Sequence, residues 1–180
     1  MPERPPEMIY TERLFLRKPN LEDAVSIFDQ YAQDVEVTQY LTWAPHQSIT
    51  DTTAFLNRCI SVWNEGTAFP WTIVRSSDKQ LLGMIEIVRI DHSGINLGYV
   101  LARKFWGKGY MTESLKKIIN WAFEQDDIFR IWAICDIENI ASSRVMEKSG
   151  MQREGILRRW LKLSYFGDIP RDCYCYSIVK

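Results

Sequence analysis

The chain has 180 residues, 22 Lys plus Arg against 23 Asp plus Glu, a formal net charge of −1, and 46% hydrophobic residues. That length suits one domain with its own core, and the near-cancelling charge excludes a global field that would draw in nucleic acid or an anionic membrane. No stretch reaches the roughly twenty apolar residues of a membrane span, and Met1 to Glu7 lacks the apolar centre of a signal peptide, so a cytoplasmic protein is expected.

Residues 1–8 read as a flexible tail in front of a single domain, and the first strand runs from Arg13 to Lys18. Asn20 and Asp23 form a loose capping pair, after which Leu21, Ala24, Val25, Phe28 and Ala32 recur at helical spacing. A second helix starts at Ser48 with Asp51, carries Phe55, Leu56, Cys59, Ile60 and Trp63 as its apolar stripe, and ends at Gly66. Between the two helices lies an aromatic loop from Tyr40 to His46.

Three alternating runs follow, Phe69 to Arg75, Leu81 to Ile90 and Ile95 to Leu101, the last two joined by an Asp91-His92-Ser93-Gly94 turn. They predict an antiparallel meander. Met111, Leu115, Ile118, Ile119, Ala122 and Phe123 then mark a helix, Phe129 to Asp136 a buried strand, and Ala141 to Ser149 a short helix closed by Gly150. Two last strands lie near Met151 to Leu163 and Asp172 to Val179. Crossing through the Met111 helix gives one parallel pair, and the whole is an α/β fold with a mixed, mostly antiparallel sheet flanked by helices.

Chemistry concentrates in Lys104-Phe105-Trp106-Gly107-Lys108-Gly109-Tyr110-Met111-Thr112-Glu113. Gly107 and Gly109 let the backbone turn and approach a ligand closely, so amides at the start of a helix can converge on a phosphate. The loop fits neither Walker A nor the dinucleotide motif, whose third glycine position is Thr112. Four cysteines without Cys-x-x-Cys spacing read as reduced packing residues. Two histidines away from any cysteine or carboxylate cluster give no metal site. The basic run Arg158-Arg159-Trp160-Leu161-Lys162 reads as the solvated side of a strand.

The passage from Asn96 through Glu113 closely resembles the acetyl-CoA-binding motif of the GNAT superfamily of N-acetyltransferases, with Lys104 in the position of its Gln or Arg. Asn139-Ile140-Ala141-Ser142 is similar to the Asn-x-Ala-Ser helix of the same superfamily. Thr11 to Arg17 and Arg171 to Ile178 resemble the end strands of its RimJ/RimL-type branch, which acetylates ribosomal-protein N-termini. The resemblance implies central strands that splay apart around acetyl-CoA, and an acceptor wall that includes Trp43 and His46.

On this resemblance, Val100 and Leu101 pair with the pantetheine arm, the amides of Trp106, Gly107, Lys108, Gly109, Tyr110, Met111 and Thr112 cradle the pyrophosphate, and Asn139 and Ser142 sit near the thioester sulfur. Ser142 then protonates the thiolate. Read locally, Asn139 is equally a helix cap, Ser142 a first-turn serine, and Trp43 a packing residue. The acidic position that many relatives use as a base is Asn96 here, and a second such position falls at Leu161. Glu86, alone in an apolar strand, is the remaining candidate base, with a water relay from backbone carbonyls as the alternative. The expected activity is transfer of an acetyl group from acetyl-CoA to a primary amine, on a protein N-terminus or a small molecule, by direct attack in a ternary complex. The alternatives are a non-catalytic acyl-CoA sensor and, more remotely, a nucleotide-binding oxidoreductase. The exposed ends of the last strands suit a homodimer.

Overall fold

A computed structural model describes residues 4–89 and 94–180. Eight strands form one sheet in the order β1-β2-β3-β4-β5-β6-β8-β7. They are β1 Met8–Tyr10, β2 Leu14–Arg17, β3 Ala68–Arg75, β4 Leu81–Arg89, β5 Gly94–Leu101, β6 Arg130–Asp136, β7 Gln152–Leu161 and β8 Arg171–Val179. The helices are α1 Ala24–Ile27, α2 Val35–Thr38, α3 Ile49–Glu65, α4 Tyr110–Phe123 and α5 Ile140–Lys148. All neighbouring strands are antiparallel except β5 and β6. The α/β architecture expected from the sequence is therefore present. The expected turn at Asp91 to Ser93 lies outside the described residues.

Local signals act where they were read. Ser48 and Asp51 form a capping box at the start of α3, and Gly66 ends it with φ of +77°, a conformation glycine adopts without a Cβ penalty. The first helical region differs from a single helix: a 3₁₀ turn Leu21–Asp23 leads into α1 and then a π turn Phe28–Ala32. Asp23 occupies this start while buried, taking hydrogen bonds from Asn20 N, both Arg17 terminal nitrogens and Thr72 Oγ1. Residues Arg4 to Met8, expected in a tail, are held to the domain. Arg4 donates to Asn64 O at 2.8 Å, Trp71 Nε1 to Pro6 O at 3.0 Å, Lys18 N to Glu7 O at 2.8 Å, and Met8 opens β1.

Strand alternation divides the core. Met84, Glu86 and Val88 stand opposite Val100, Gly98 and Asn96 on one face, and Ile85 and Ile87 opposite Tyr99 and Leu97 on the other. The first face carries the α1 and α3 region, reached by the Asp23 to Thr72 bond; the second carries α5, reached by a Tyr99 to Ser142 bond. Trp71 is fully buried, its ring 5.2 Å from Trp63 of α3 and 6.5 Å from Trp121 of α4, so one side chain links both helices.

The parallel pair is short. Gly94, Ile95 and Asn96 pair with Arg130, Ile131 and Trp132, and there the ladder ends, although β5 runs on to Leu101 and β6 to Asp136. Beyond the fork β5 stays with β4 as far as Gly83 opposite Leu101, while β6 stays with β8. Gly83 makes the first of these possible: a Cβ there would meet the Val100 carbonyl oxygen at 2.1 Å. Asn96 sits at the fork, its Nδ2 donating to Trp132 O at 3.3 Å.

Because Asp23 is a buried carboxylate with its guanidinium partner half-covered, replacing it leaves Arg17 and Thr72 without their acceptor. Asp23→Ala is expected to lower unfolding free energy by about 3 kcal/mol in urea denaturation. A loss below about 1 kcal/mol would show that the pair is no more than a surface bridge.

Candidate active site

The end of β5 delivers the chain directly into the glycine loop. Ala102 N donates to Leu82 O at 2.8 Å, a 3₁₀ turn Arg103–Phe105 buries Phe105, and Gly107 and Gly109 follow with φ of +73° and +79° before α4 begins. A Cβ at Gly107 would meet nothing within 4 Å, and at Gly109 the nearest atom would be Arg13 Nη2 at 3.5 Å, so the loop faces open space. The first amides of a helix have no intrahelical acceptor and carry the positive end of its dipole, which makes this space a candidate anion site. Lys104 and Lys108 stand with their amines 5.1 and 5.7 Å from the Phe105 ring, and neither forms an ion pair with another described residue.

A clamp that the sequence reading missed holds the loop. Glu113 in the first turn of α4 accepts from Thr11 Oγ1 at 2.6 Å, Arg13 N at 2.9 Å and Arg13 Nε at 2.7 Å, and Arg13 Nη1 reaches Lys108 O at 3.1 Å. Burial pushes the Glu113 carboxyl up, but the hydrogen bonds from Thr11 and Arg13 outweigh it and hold the group below its ordinary value. Tyr110 serves this clamp: the Arg13 guanidinium lies 4.6 Å over its ring, and Phe105 lies 6.4 Å away. Met111 turns its side chain into the core, leaving its amide to the loop. Trp106 is 43% exposed and its indole donates to Leu101 O at 2.7 Å, occupying one lone pair of a carbonyl expected to face pantetheine.

Across the fork, Asn139 caps α5, its Oδ1 accepting from Ser142 N at 3.1 Å. The capping role open in the sequence is thus realised. The Ser142 hydroxyl lies 2.8 Å from Tyr99 Oη, which also lies 3.2 Å from Ser142 O. Tyr99 belongs to β5 beyond the end of the ladder. Its only sequence signal was a hydroxyl among apolar residues, and burial pushes its phenol well above the ordinary value. Cys135 of β6 lies beside the same helix, its Sγ 3.3 Å from Ser143 Oγ.

Glu86 occupies the other face of the sheet, opposite Gly98 and Pro70. Gly98 is exposed and a Cβ there would meet nothing within 4 Å, so there is open space directly across from the carboxyl. Burial raises the Glu86 pKa, and the Arg58 charge opposes the rise. Arg58 lies 5.5 Å over Phe55, and the Phe55 ring stands 6.2 Å from Trp43 and 5.9 Å from His46. Trp43 and His46 therefore pack against the same stretch of α3 that carries Arg58. They are also packed: their rings are 5.0 Å apart, His46 Nδ1 is 2.8 Å from Thr52 Oγ1, and burial lowers the His46 pKa against the pull of Asp51. The loop after β7 meets this wall, with Ser164 Oγ donating to Thr42 O at 3.0 Å and Phe166 5.9 Å from Tyr40.

The site thus has two sides of one strand. Gly98 opens toward Glu86 and the α3 wall, and the next residue, Tyr99, reaches Ser142 on the face of α5. Nothing in this arrangement resembles the third glycine of a dinucleotide site.

Known proteins place the arrangement. Residues 13–152 match the Acetyltransferase (GNAT) domain family. The uncharacterized N-acetyltransferase YoaA of Bacillus subtilis (strain 168) is 31% identical over 175 residues, covering 96% of this chain and 97% of its own. The [ribosomal protein uS5]-alanine N-acetyltransferase of Escherichia coli (strain K12) is 26% identical over 165 residues, 87% of this chain and 84% of its own. The fold is shared with the microcin C7 self immunity acetyltransferase MccE, solved in complex with acetyl-CoA and AMP, at a TM-score of 0.87 and 23% identity over 98% of both chains. A forked sheet that ends in a glycine cradle, and a family match across most of the length, establish that the chain belongs to the GNAT family of N-acetyltransferases.

Proposed function

We propose that the protein moves the acetyl group of acetyl-CoA to a primary amine by direct attack within a ternary complex. The observation that carries this reading is the continuity of β5 with the cradle: a strand edge without a strand partner after Asn96 leads straight into open helix-start amides at residues 107 to 112. A pantetheine arm is an amide chain that adds to such an edge as a further strand does, through Val100 and the remaining capacity of Leu101. The pyrophosphate then falls on the amides from Trp106 to Thr112, with Lys104 and Lys108 supplying charge.

The acceptor enters on the opposite side, over Gly98. Glu86 takes a proton from the acceptor ammonium and passes it to water; the neutral amine attacks the thioester carbon, the C–N bond forms, the attached nitrogen gives its second proton to Glu86, and the C–S bond breaks with its electron pair passing to sulfur. A half-buried carboxyl suits this work because its raised pKa brings it nearer to the amine. Trp43, His46, Phe55 and Arg58 form the acceptor wall. The uS5-alanine relative supports a protein N-terminus as acceptor, and the open space beside Gly98 suits a small amine as well. The protein works in the cytoplasm, without a metal. Its outer strand β7, with Ile156 and Trp160 more than half exposed, suits contact with a second copy.

Thiol release from acetyl-CoA, measured against N-terminal peptides and small amines, tests the reading. Acceptor-dependent CoA release with an acetylated product supports it, whereas acetyl-CoA binding without turnover on any acceptor makes the protein an acyl-CoA sensor. Gly109→Val places a β-branched side chain at a φ of +79°, on the floor of the cradle. Acetyl-CoA affinity is expected to fall at least tenfold by calorimetry, a loss of about 1.4 kcal/mol; a folded variant with unchanged affinity would contradict the cradle.

Activity is expected to rise with pH as Glu86 deprotonates. Because burial raises its pKa, the acidic limb lies above the range of an exposed glutamate. Glu86→Gln is expected to lower turnover about a hundredfold and to leave a limb that follows the acceptor's own pKa. Wild-type turnover with an unshifted limb would assign the proton to water and backbone carbonyls instead.

A further inference from the structure

We infer that Tyr99 is a positioning residue for the leaving sulfur, because it sets the direction in which the Ser142 hydroxyl donates. The inference rests on the acetyltransferase reading above. The phenol has one hydrogen and two acceptors within reach on the same residue, Ser142 O at 3.2 Å and Ser142 Oγ at 2.8 Å. When Tyr99 donates to the carbonyl, its oxygen accepts from the Ser142 hydroxyl, whose hydrogen then points at Tyr99. When Tyr99 donates to Oγ, the Ser142 hydrogen is released to another acceptor. The two arrangements differ by rotation of two O–H bonds and need no movement of a heavy atom.

The surroundings fix everything else. Ser142 N is capped by Asn139, so the first turn of α5 is held independently of its hydroxyl. Tyr99 is held in the β4 register opposite Ile85, on the part of β5 that has left β6. Its hydroxyl therefore bridges from the free strand edge to α5. Negative charge developing on a sulfur beside Ser142 favours the second arrangement, since a hydrogen bond to a charged acceptor is stronger than one between neutral groups. Burial keeps the phenol neutral and thus a donor throughout. The ammonium proton and then the second nitrogen proton go to Glu86, each passed on to water, the electron pair of the C–S bond goes to sulfur, Ser142 keeps its proton while donating to the thiolate, and CoA is protonated by water on release. Ser142 acts here by hydrogen bonding, where the family resemblance implied full proton transfer.

The test is steady-state kinetics of Tyr99→Phe, Ser142→Ala and the double variant, with acetyl-CoA and an acceptor on which the wild type turns over. Tyr99→Phe removes the hydroxyl and keeps the ring. Its kcat is expected to fall about tenfold, with KM for acetyl-CoA within about twofold of wild type, because the interaction strengthens only as sulfur becomes charged. The double variant is expected to match Ser142→Ala, since Tyr99 acts through that hydroxyl alone. A wild-type kcat in Tyr99→Phe, a loss that multiplies with that of Ser142→Ala, or a loss confined to melting temperature and KM would each overturn the inference. An active wild type matched by Tyr99→Phe removes only this inference, whereas a wild type that releases no CoA with any acceptor removes the acetyltransferase reading and the inference with it.

Discussion

The organisation of this protein depends on one interrupted ladder. β5 and β6 share three residue pairs and then separate, because β5 continues along β4 and β6 along β8. Backbone donors and acceptors that lose a strand partner need another, and an edge of this kind accepts an extended amide chain. We propose that the fork defines where acetyl-CoA enters and in which direction it lies. Gly83 is the small residue behind it, since any side chain there would collide with the Val100 carbonyl and push β5 off β4.

Placing the chemistry on one strand has a geometric consequence. Successive residues of a strand face opposite sides, so Gly98 and Tyr99 face the two sides of the sheet while sharing one peptide bond. One face carries the half-buried Glu86 carboxyl; the other carries the Tyr99 and Ser142 hydroxyl pair at the start of α5. In the proposed ternary complex, acceptor and acyl donor meet at this strand from opposite sides. Near-neutral overall charge agrees with the proposed cofactor site, because Lys104 and Lys108 place positive charge locally, next to the helix-start amides.

Much of the fold was legible because its signals are local. The helix boundaries at Ser48 and Gly66, the strand runs Phe69 to Arg75, Leu81 to Arg89 and Ile95 to Leu101, and the two glycines before α4 each act within a few residues of themselves. The departures come from partners distant in sequence. β1 is three residues long and exists because Met8 to Tyr10 find β2; the helix after Asn20 changes type at both ends while Asp23 is held by Arg17 and Thr72. In the site, the cradle was read from Gly107 and Gly109, but the Arg13 to Glu113 clamp spans 100 residues and the Tyr99 to Ser142 pair spans 43. Arg58 lies off the apolar stripe of α3. No periodicity could place it near Glu86, since that proximity follows from how α3 docks on the sheet.

The central claim is that the free edge of β5 and the cradle together receive acetyl-CoA. Amide hydrogen exchange, resolved by residue with and without acetyl-CoA, tests it most directly because it reports new backbone hydrogen bonds. The account predicts slowed exchange at outward-facing amides within residues 97–101 and at residues 107–112, with little change along β1, β2 and β7. Saturable binding that leaves both segments exchanging at their ligand-free rates would contradict it.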